Sequence, residues 1–188
     1  MKLSGLIPWL PNLITLGRLC LVPALVYFVL LGEASAAFWV FILAGVSDAL
    51  DGLLAKRLNC VTRFGTFLDP VADKALLVAA FVTLGMQDQL PLWLVILVVS
   101  RDLMIVGGAL LYQLIMGELH LRPLPISKLN TAAQILLVAL VLVQPGLGIT
   151  LPAVLTLIMV WFAGLTTLIS GAAYLVTWGS AAMRSNNL

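Results

Sequence analysis

Long apolar runs broken by short polar islands dominate the pattern of the chain. A helix that crosses a bilayer needs about 20 consecutive, predominantly apolar residues. Six stretches meet that length: 8–31, 36–55, 70–87, 90–116, 127–147 and 150–178. They predict an all-α integral membrane protein of six transmembrane helices, a single domain over 1–188 with almost nothing left for an extramembrane part. The first stretch is too long for a signal-peptide core and carries Pro11, Asn12 and Arg18, so it reads as a span.

Composition strengthens this reading. The chain is 62% hydrophobic and 10% charged, with a mean hydropathy of +1.15, more apolar than a soluble domain needs for its core. The few basic residues then set orientation, because Lys and Arg beside spans stay in the cytoplasm. Lys2, Lys56, Arg57, Arg63, Arg122, Lys128 and Arg184 all fall on connections of one side. The connections around Gly32-Glu33, Gln87-Asp88-Gln89 and Gln144-Pro145-Gly146 carry none. The expected location is therefore a membrane, multi-pass, bacterial inner membrane or equivalent, with both termini cytoplasmic. The net charge of +2 reflects this topology. No basic patch with interleaved aromatics points to nucleic acid. Cys20 and Cys60 have no partner spacing that suggests a metal and read as reduced, structural thiols.

Acids are scarce, and four of the eight lie in one segment. Asp48 and Asp51 are three residues apart near the end of the second span; Asp69 and Asp73 are four apart at the start of the third. Each spacing puts a pair on one helix face. Asp69 followed by Pro70 also reads as a helix start, with Asp as N-cap and Pro at the first helical position. A short connection makes the two helices antiparallel neighbours, so four carboxylates converge at one depth. An Asp at the bilayer centre costs on the order of 3 kcal/mol, so such a cluster calls for compensation. Hard divalent cations supply it, since Mg²⁺ prefers carboxylate oxygens together with phosphates and waters. Two metals sharing carboxylates clamp a phosphoryl displacement. Gly52, Ala55 and Gly65 allow a polar ligand close to the backbone, while Lys56, Arg57 and Thr62 can meet phosphate oxygens.

These residues resemble the CDP-alcohol phosphotransferases, whose signature is D-x2-D-G-x2-A-R-x8-G-x3-D-x3-D. Asp48, Asp51, Gly52, Ala55, Gly65, Asp69 and Asp73 match it, and Lys56 stands at the signature Arg. Lys keeps the charge but not the bidentate fork. The resemblance implies a six-helix membrane fold, usually a homodimer, with a polar cavity open to the cytoplasm. It implies that Asp48, Asp51, Asp69 and Asp73 hold two Mg²⁺, or Mn²⁺, with Asp73 also the general base. Gly52, Lys56, Thr62 and Gly65 would hold the CDP moiety of CDP-diacylglycerol. The opening Pro11-Asn12-Leu13-Ile14-Thr15-Leu16-Gly17-Arg18 resembles the family's first helix, where Asn12, Thr15 and Arg18 would face the nucleotide.

Choice of alcohol falls to the second half. Ser100-Arg101-Asp102 and the run from Pro125 to Gln134 resemble the cardiolipin synthase branch, whose acceptor is phosphatidylglycerol. The competing branch uses glycerol 3-phosphate, giving phosphatidylglycerophosphate, and often has a second Arg two helical turns after the first; here that position is Ala109. Arg63, Arg101 and Lys128 are candidate acceptor contacts, although Arg101 and Asp102 equally read as a mutually neutralising pair. A divalent-cation transporter is the alternative of another class, but neither acids along a path nor an inverted repeat is present. His120 has no evident Ser or Cys partner for nucleophilic catalysis. Lys56→Arg is expected to keep or raise metal-dependent CMP release from CDP-diacylglycerol, and a large loss would separate this position from the signature Arg.

Overall fold

The computed structural model describes the backbone of residues 10–58, 63–116 and 124–185, and the side chains of 16–48, 74–108 and 124–177. The described residues form six helices: α1 (Leu10–Leu30), α2 (Ala34–Leu58), α3 (Arg63–Met86), α4 (Leu92–Met116), α5 (Pro125–Leu147) and α6 (Ala153–Ser185). Each coincides with one predicted apolar stretch. The start of α3 differs. The helix begins at Arg63, so Asp69 lies within it rather than at its cap. An Asp-Pro pair marks a helix start only by propensity, which neighbouring structure overrides. Two helices among the described residues are long and apolar enough to cross a membrane, Pro125–Leu147 and Ala153–Thr177.

The chain divides into two compact units, Met1–Gln89 with Val138–Thr150, and Leu90–Leu137 with Leu151–Leu188. In the first, α1 packs against both α2 and α3. Leu25 and Val29 of α1, Ala37, Phe38 and Phe41 of α2, and Leu77, Phe81 and Leu84 of α3 form its buried core. Two helix ends are closed alike. Gly32, at φ 76°, lets α1 stop while the Glu33 N–H donates to Phe28 O at 3.0 Å and the Gly32 N–H to Val29 O at 3.1 Å. Asp88, at φ 56°, does the same for α3, with the Gln89 N–H reaching Leu84 O at 2.9 Å. Asp tolerates that left-handed conformation better than most residues.

These ends are tied together. The Gln87 amide donates to Leu30 O at 3.1 Å and Val29 O at 3.3 Å, supplying donors that the last carbonyls of α1 lack within their own helix. The Ser35 hydroxyl donates to Gly146 O. The ends of α1 and α3, the start of α2 and the last turn of α5 thus meet at one end of this unit; Gln144-Pro145-Gly146, expected as a connection, lies inside α5.

In the second unit α4 packs on α6. Trp93 and Trp161 stack with ring centroids 5.2 Å apart, and a Cβ on Gly164 would come within 2.9 Å of the Trp93 ring. Polar side chains here turn inward: Arg101, Asp102, Asn130, Gln134, Thr166, Thr167 and Ser170 are buried. Large apolar ones face outward, among them Leu103, Leu136, Leu157, Ile158, Leu165 and Leu168. That arrangement is the reverse of a water-soluble helical bundle.

Close backbone approach at Gly146 yields a test. A Cβ there would lie 2.9 Å from the Ala34 carbonyl oxygen, which no rotamer change can move. Gly146→Ala is expected to lower the unfolding midpoint in detergent by about 3–8 °C. At Gly45, where a Cβ meets nothing within 4 Å, Gly45→Ala should leave the midpoint unchanged or raise it.

Candidate functional site

Helix α2 carries Asp48 and Asp51, a rise of about 4.5 Å apart, and α3 carries Asp69 and Asp73, about 6 Å apart. Helix α1, packed against both, brings in Arg18. Its Nη1 donates to Asp48 Oδ1 at 2.7 Å. The two partners differ in exposure: the Arg18 side chain is 1% exposed and that of Asp48 50%. A guanidinium is stable at such depth only when matched by a carboxylate or other acceptors. The pair therefore fixes the side chain of Asp48 from its buried side while leaving the carboxylate open on the other. One residue earlier on α2, the Ser47 hydroxyl donates to Leu43 O at 2.7 Å and turns back on its own helix.

Of the residues expected at this site, Arg18 and Asp48 are brought together. The side chains of Asn12, Thr15, Asp51, Gly52, Lys56, Arg63, Gly65, Asp69 and Asp73 lie outside the described residues, as does Thr62 altogether. Among the described residues no three His, Cys, Asp or Glu side chains gather, three of the four aspartates being outside that set. Asp48, the one of the four aspartates whose side chain is described, is half-exposed and bonded to Arg18; carboxylate oxygen is the donor type that a hard divalent cation takes.

The second expected group is elsewhere in the chain. Arg101 is 3% exposed, and its Nη1 donates to Asp102 Oδ1 at 2.7 Å. Its Nη2 donates to the Ser127 hydroxyl at 2.7 Å and to the Ser170 hydroxyl. Its guanidinium carbon lies 5.9 Å from the centroid of the Tyr174 ring, within cation–π range. The pairing with Asp102 is thus present, and it joins α4, α5 and α6. Lys128, next to Ser127 on α5, is exposed.

Sequence reasoning missed the hydroxyl partners of Arg101, Ser127 and Ser170, and the pairing of Asn130 with Thr166 and Thr167. Ser127, Asn130 and Gln134 are spaced three and four apart, one face of a helix. Asn130 Oδ1 accepts from the hydroxyls of Thr166 at 2.9 Å and Thr167 at 2.8 Å. That spacing was the available signal. What it could not supply was the facing set on α6, Thr166, Thr167 and Ser170, whose hydroxyls look idle in an apolar run.

A helical chain with an aspartate pair on each of two consecutive helices, and a buried arginine holding the first aspartate, is the class that this geometry defines. The family model for CDP-alcohol phosphatidyltransferases matches residues 8–169. The chain belongs to the CDP-alcohol phosphatidyltransferase family. It is 34% identical over 182 residues to the chloroplastic CDP-diacylglycerol–glycerol-3-phosphate 3-phosphatidyltransferase 1 of Oryza sativa, covering 88% of this chain and 55% of that protein. To the cardiolipin synthase (CMP-forming) of Rattus norvegicus it is 35% identical, covering 73% of this chain and 51% of the relative. To the CDP-diacylglycerol–glycerol-3-phosphate 3-phosphatidyltransferase of Bacillus subtilis it is also 35% identical, covering 88% and 92%. The chain spans about half the length of the rice and rat proteins.

Removing one member of the second ion pair leaves the other charge buried. Arg101→Met is expected to cost about 3–5 kcal/mol of stability, and Arg101→Met with Asp102→Leu to recover most of it. A double-mutant cycle of unfolding in detergent, completed with Asp102→Leu alone, measures this; a loss in the double variant equal to the sum of the two single losses would mean that the pair is not coupled.

Proposed function

We propose that this chain is an integral membrane enzyme that transfers the phosphatidyl group of CDP-diacylglycerol to a glycerol-type alcohol and releases CMP. The observation that carries the reading is the buried Arg18 holding Asp48, the first aspartate of the family's signature, at 2.7 Å. The exposure of large apolar side chains around buried polar ones supports lipid as the surrounding medium. In this reading all six helices span, the basic connections and both termini are cytoplasmic, and the aspartates line a polar cavity on that side. The partners are CDP-diacylglycerol, the alcohol, the surrounding lipids and a second copy of the chain as a homodimer.

Asp48, Asp51, Asp69 and Asp73 would hold two Mg²⁺ ions, or Mn²⁺ in their place. When bound, such ions neutralise the diphosphate and stabilise the charge that builds on it. The residues do the rest. Asn12, Thr15, Arg18, Gly52, Lys56, Thr62 and Gly65 bind and orient the CDP end. Asp73 takes the proton of the acceptor hydroxyl as its oxygen bonds to the phosphorus that bears diacylglycerol. The bond from that phosphorus to the CMP oxygen breaks, and its electron pair leaves with CMP. An ordinary Asp titrates near 3.9 and is a weak base at neutral pH, so the role depends on a hydroxyl held against it.

Phosphatidylglycerol is the proposed acceptor, giving cardiolipin. Ala109 offers no second cation for an acceptor phosphate, and the rat relative bears the name cardiolipin synthase (CMP-forming). Glycerol 3-phosphate is the second reading, favoured by the Bacillus subtilis relative, whose name specifies that acceptor and of which the chain covers 92%. Arg63, Arg101 and Lys128 are the proposed acceptor contacts, with Arg101 acting through the buried network it already makes.

The deciding assay supplies CDP-diacylglycerol in liposomes with Mg²⁺, Mn²⁺ or chelator, adds either acceptor, and follows CMP and the lipid product. Cardiolipin is expected, lost with chelator and lost by about a hundredfold or more in Asp73→Asn. Phosphatidylglycerophosphate instead would keep the chemistry and change the acceptor. CMP release indifferent to metal and to Asp73 would sink the proposal.

A further inference from the structure

Along the described part of α1, Arg18, Leu25 and Val29 are buried while Leu16, Leu19, Tyr27 and Leu30 are exposed. Leu25 and Val29 follow Arg18 by about two and three helical turns, so the three form one row, on the side of α1 that packs against α2 and α3. Arg18 thus holds a position that its row otherwise gives to apolar side chains. A pocket for a nucleotide would leave the guanidinium accessible, and the side chain is 1% exposed. Its Nη1 reaches Asp48 Oδ1 at 2.7 Å.

Two features distinguish this pair from one made only to cancel charge. A partner that only neutralises is best buried itself, as Asp102 is beside Arg101 at 2% exposure, whereas Asp48 is 50% exposed. A carboxylate also has two oxygens that accept, and the bond from Arg18 takes Oδ1. The terminal torsion of an aspartate is broad; a charge-assisted bond from a donor locked in the packing narrows it. Side chains that bond a metal ligand from behind act in this way, and losing one costs about tenfold to a hundredfold in metal affinity. A cation beside the site also repels the ion, so orientation and repulsion carry opposite signs and an experiment separates them.

We propose that Arg18 is a positioning residue for the divalent-cation site: it fixes Asp48 from the buried side, keeps the exposed side of the carboxylate turned outward, and acts on the CDP end only through Asp48. The inference rests on the reading of Asp48 as a metal ligand. It replaces the direct nucleotide contact that the family resemblance implies for Arg18.

The test titrates Mn²⁺ into the full chain in detergent without lipid substrate, following free Mn²⁺ by its paramagnetic resonance, and separately measures KM for CDP-diacylglycerol at saturating metal. Arg18→Met is expected to raise the Mn²⁺ Kd about tenfold to a hundredfold, and Arg18→Lys, which keeps a charged donor, to restore part of that loss. Unfolding midpoints in chelator identify the variants that remain folded. A Kd within about threefold of wild type in folded Arg18→Met, or a tighter one, overturns the proposal. The first, with a raised KM for CDP-diacylglycerol, makes Arg18 a nucleotide contact; the second makes it a competitor of the ion. If Arg18→Met does not fold, Arg18→Lys carries the test alone: a Kd raised about threefold or more with KM unmoved supports positioning, and an unchanged Kd overturns it. A wild type that binds no Mn²⁺ overturns it as well. Metal binding without CMP release under any condition fails only the enzymatic reading, and the Kd values still decide the role of Arg18.

Discussion

Charge held away from water must be matched, and both units are organised around one such match. In the first, Arg18 on α1 meets Asp48 on α2; in the second, Arg101 and Asp102 on α4 meet each other and Arg101 also donates to hydroxyls of α5 and α6. The two pairs do different work. Arg101 and Asp102 are both buried, at 3% and 2% exposure, so each is there to cancel the other. Arg18 is equally buried, but its partner is half-exposed. A pair with one open end stabilises less than a closed one, yet it is the arrangement that leaves a carboxylate available.

Helix existence was legible because apolar length is the signal and needs no periodicity. All six stretches became helices, and Gln87 and Ser35 tie the end of α3 to that of α1 and the start of α2 to the last turn of α5. Which face each helix buries was not legible in the same way. Where the whole circumference is apolar, hydrophobicity gives no direction, and the polar minority does. Thr166, Thr167 and Ser170 mark the inner face of α6 through their bonds to Asn130 and Arg101, a pairing that no spacing within α6 predicts. The start of α3 misled for a related reason. Asp69-Pro70 has the local chemistry of a cap, but the helix was already running from Arg63.

The candidate site was legible in kind. Four aspartates in a chain with only eight acids stand out against their apolar surroundings. The role of Arg18 was legible only in part: its depth marked it as functional, whereas its attachment to Asp48 depended on α1 packing against α2. That contact gives the first helix a structural reason to be polar where its neighbours are not.

Acceptor choice has to rest on few side chains. The chain is 35% identical both to a relative named for glycerol 3-phosphate and to one named cardiolipin synthase, so overall similarity carries no preference between them. A phosphate acceptor calls for a cation with free donors, and in the second unit the one buried cation, among the described residues, is matched by Asp102. The proposed preference for phosphatidylglycerol therefore draws on position 109, where Ala stands and a second cation would be needed to hold a phosphate monoester.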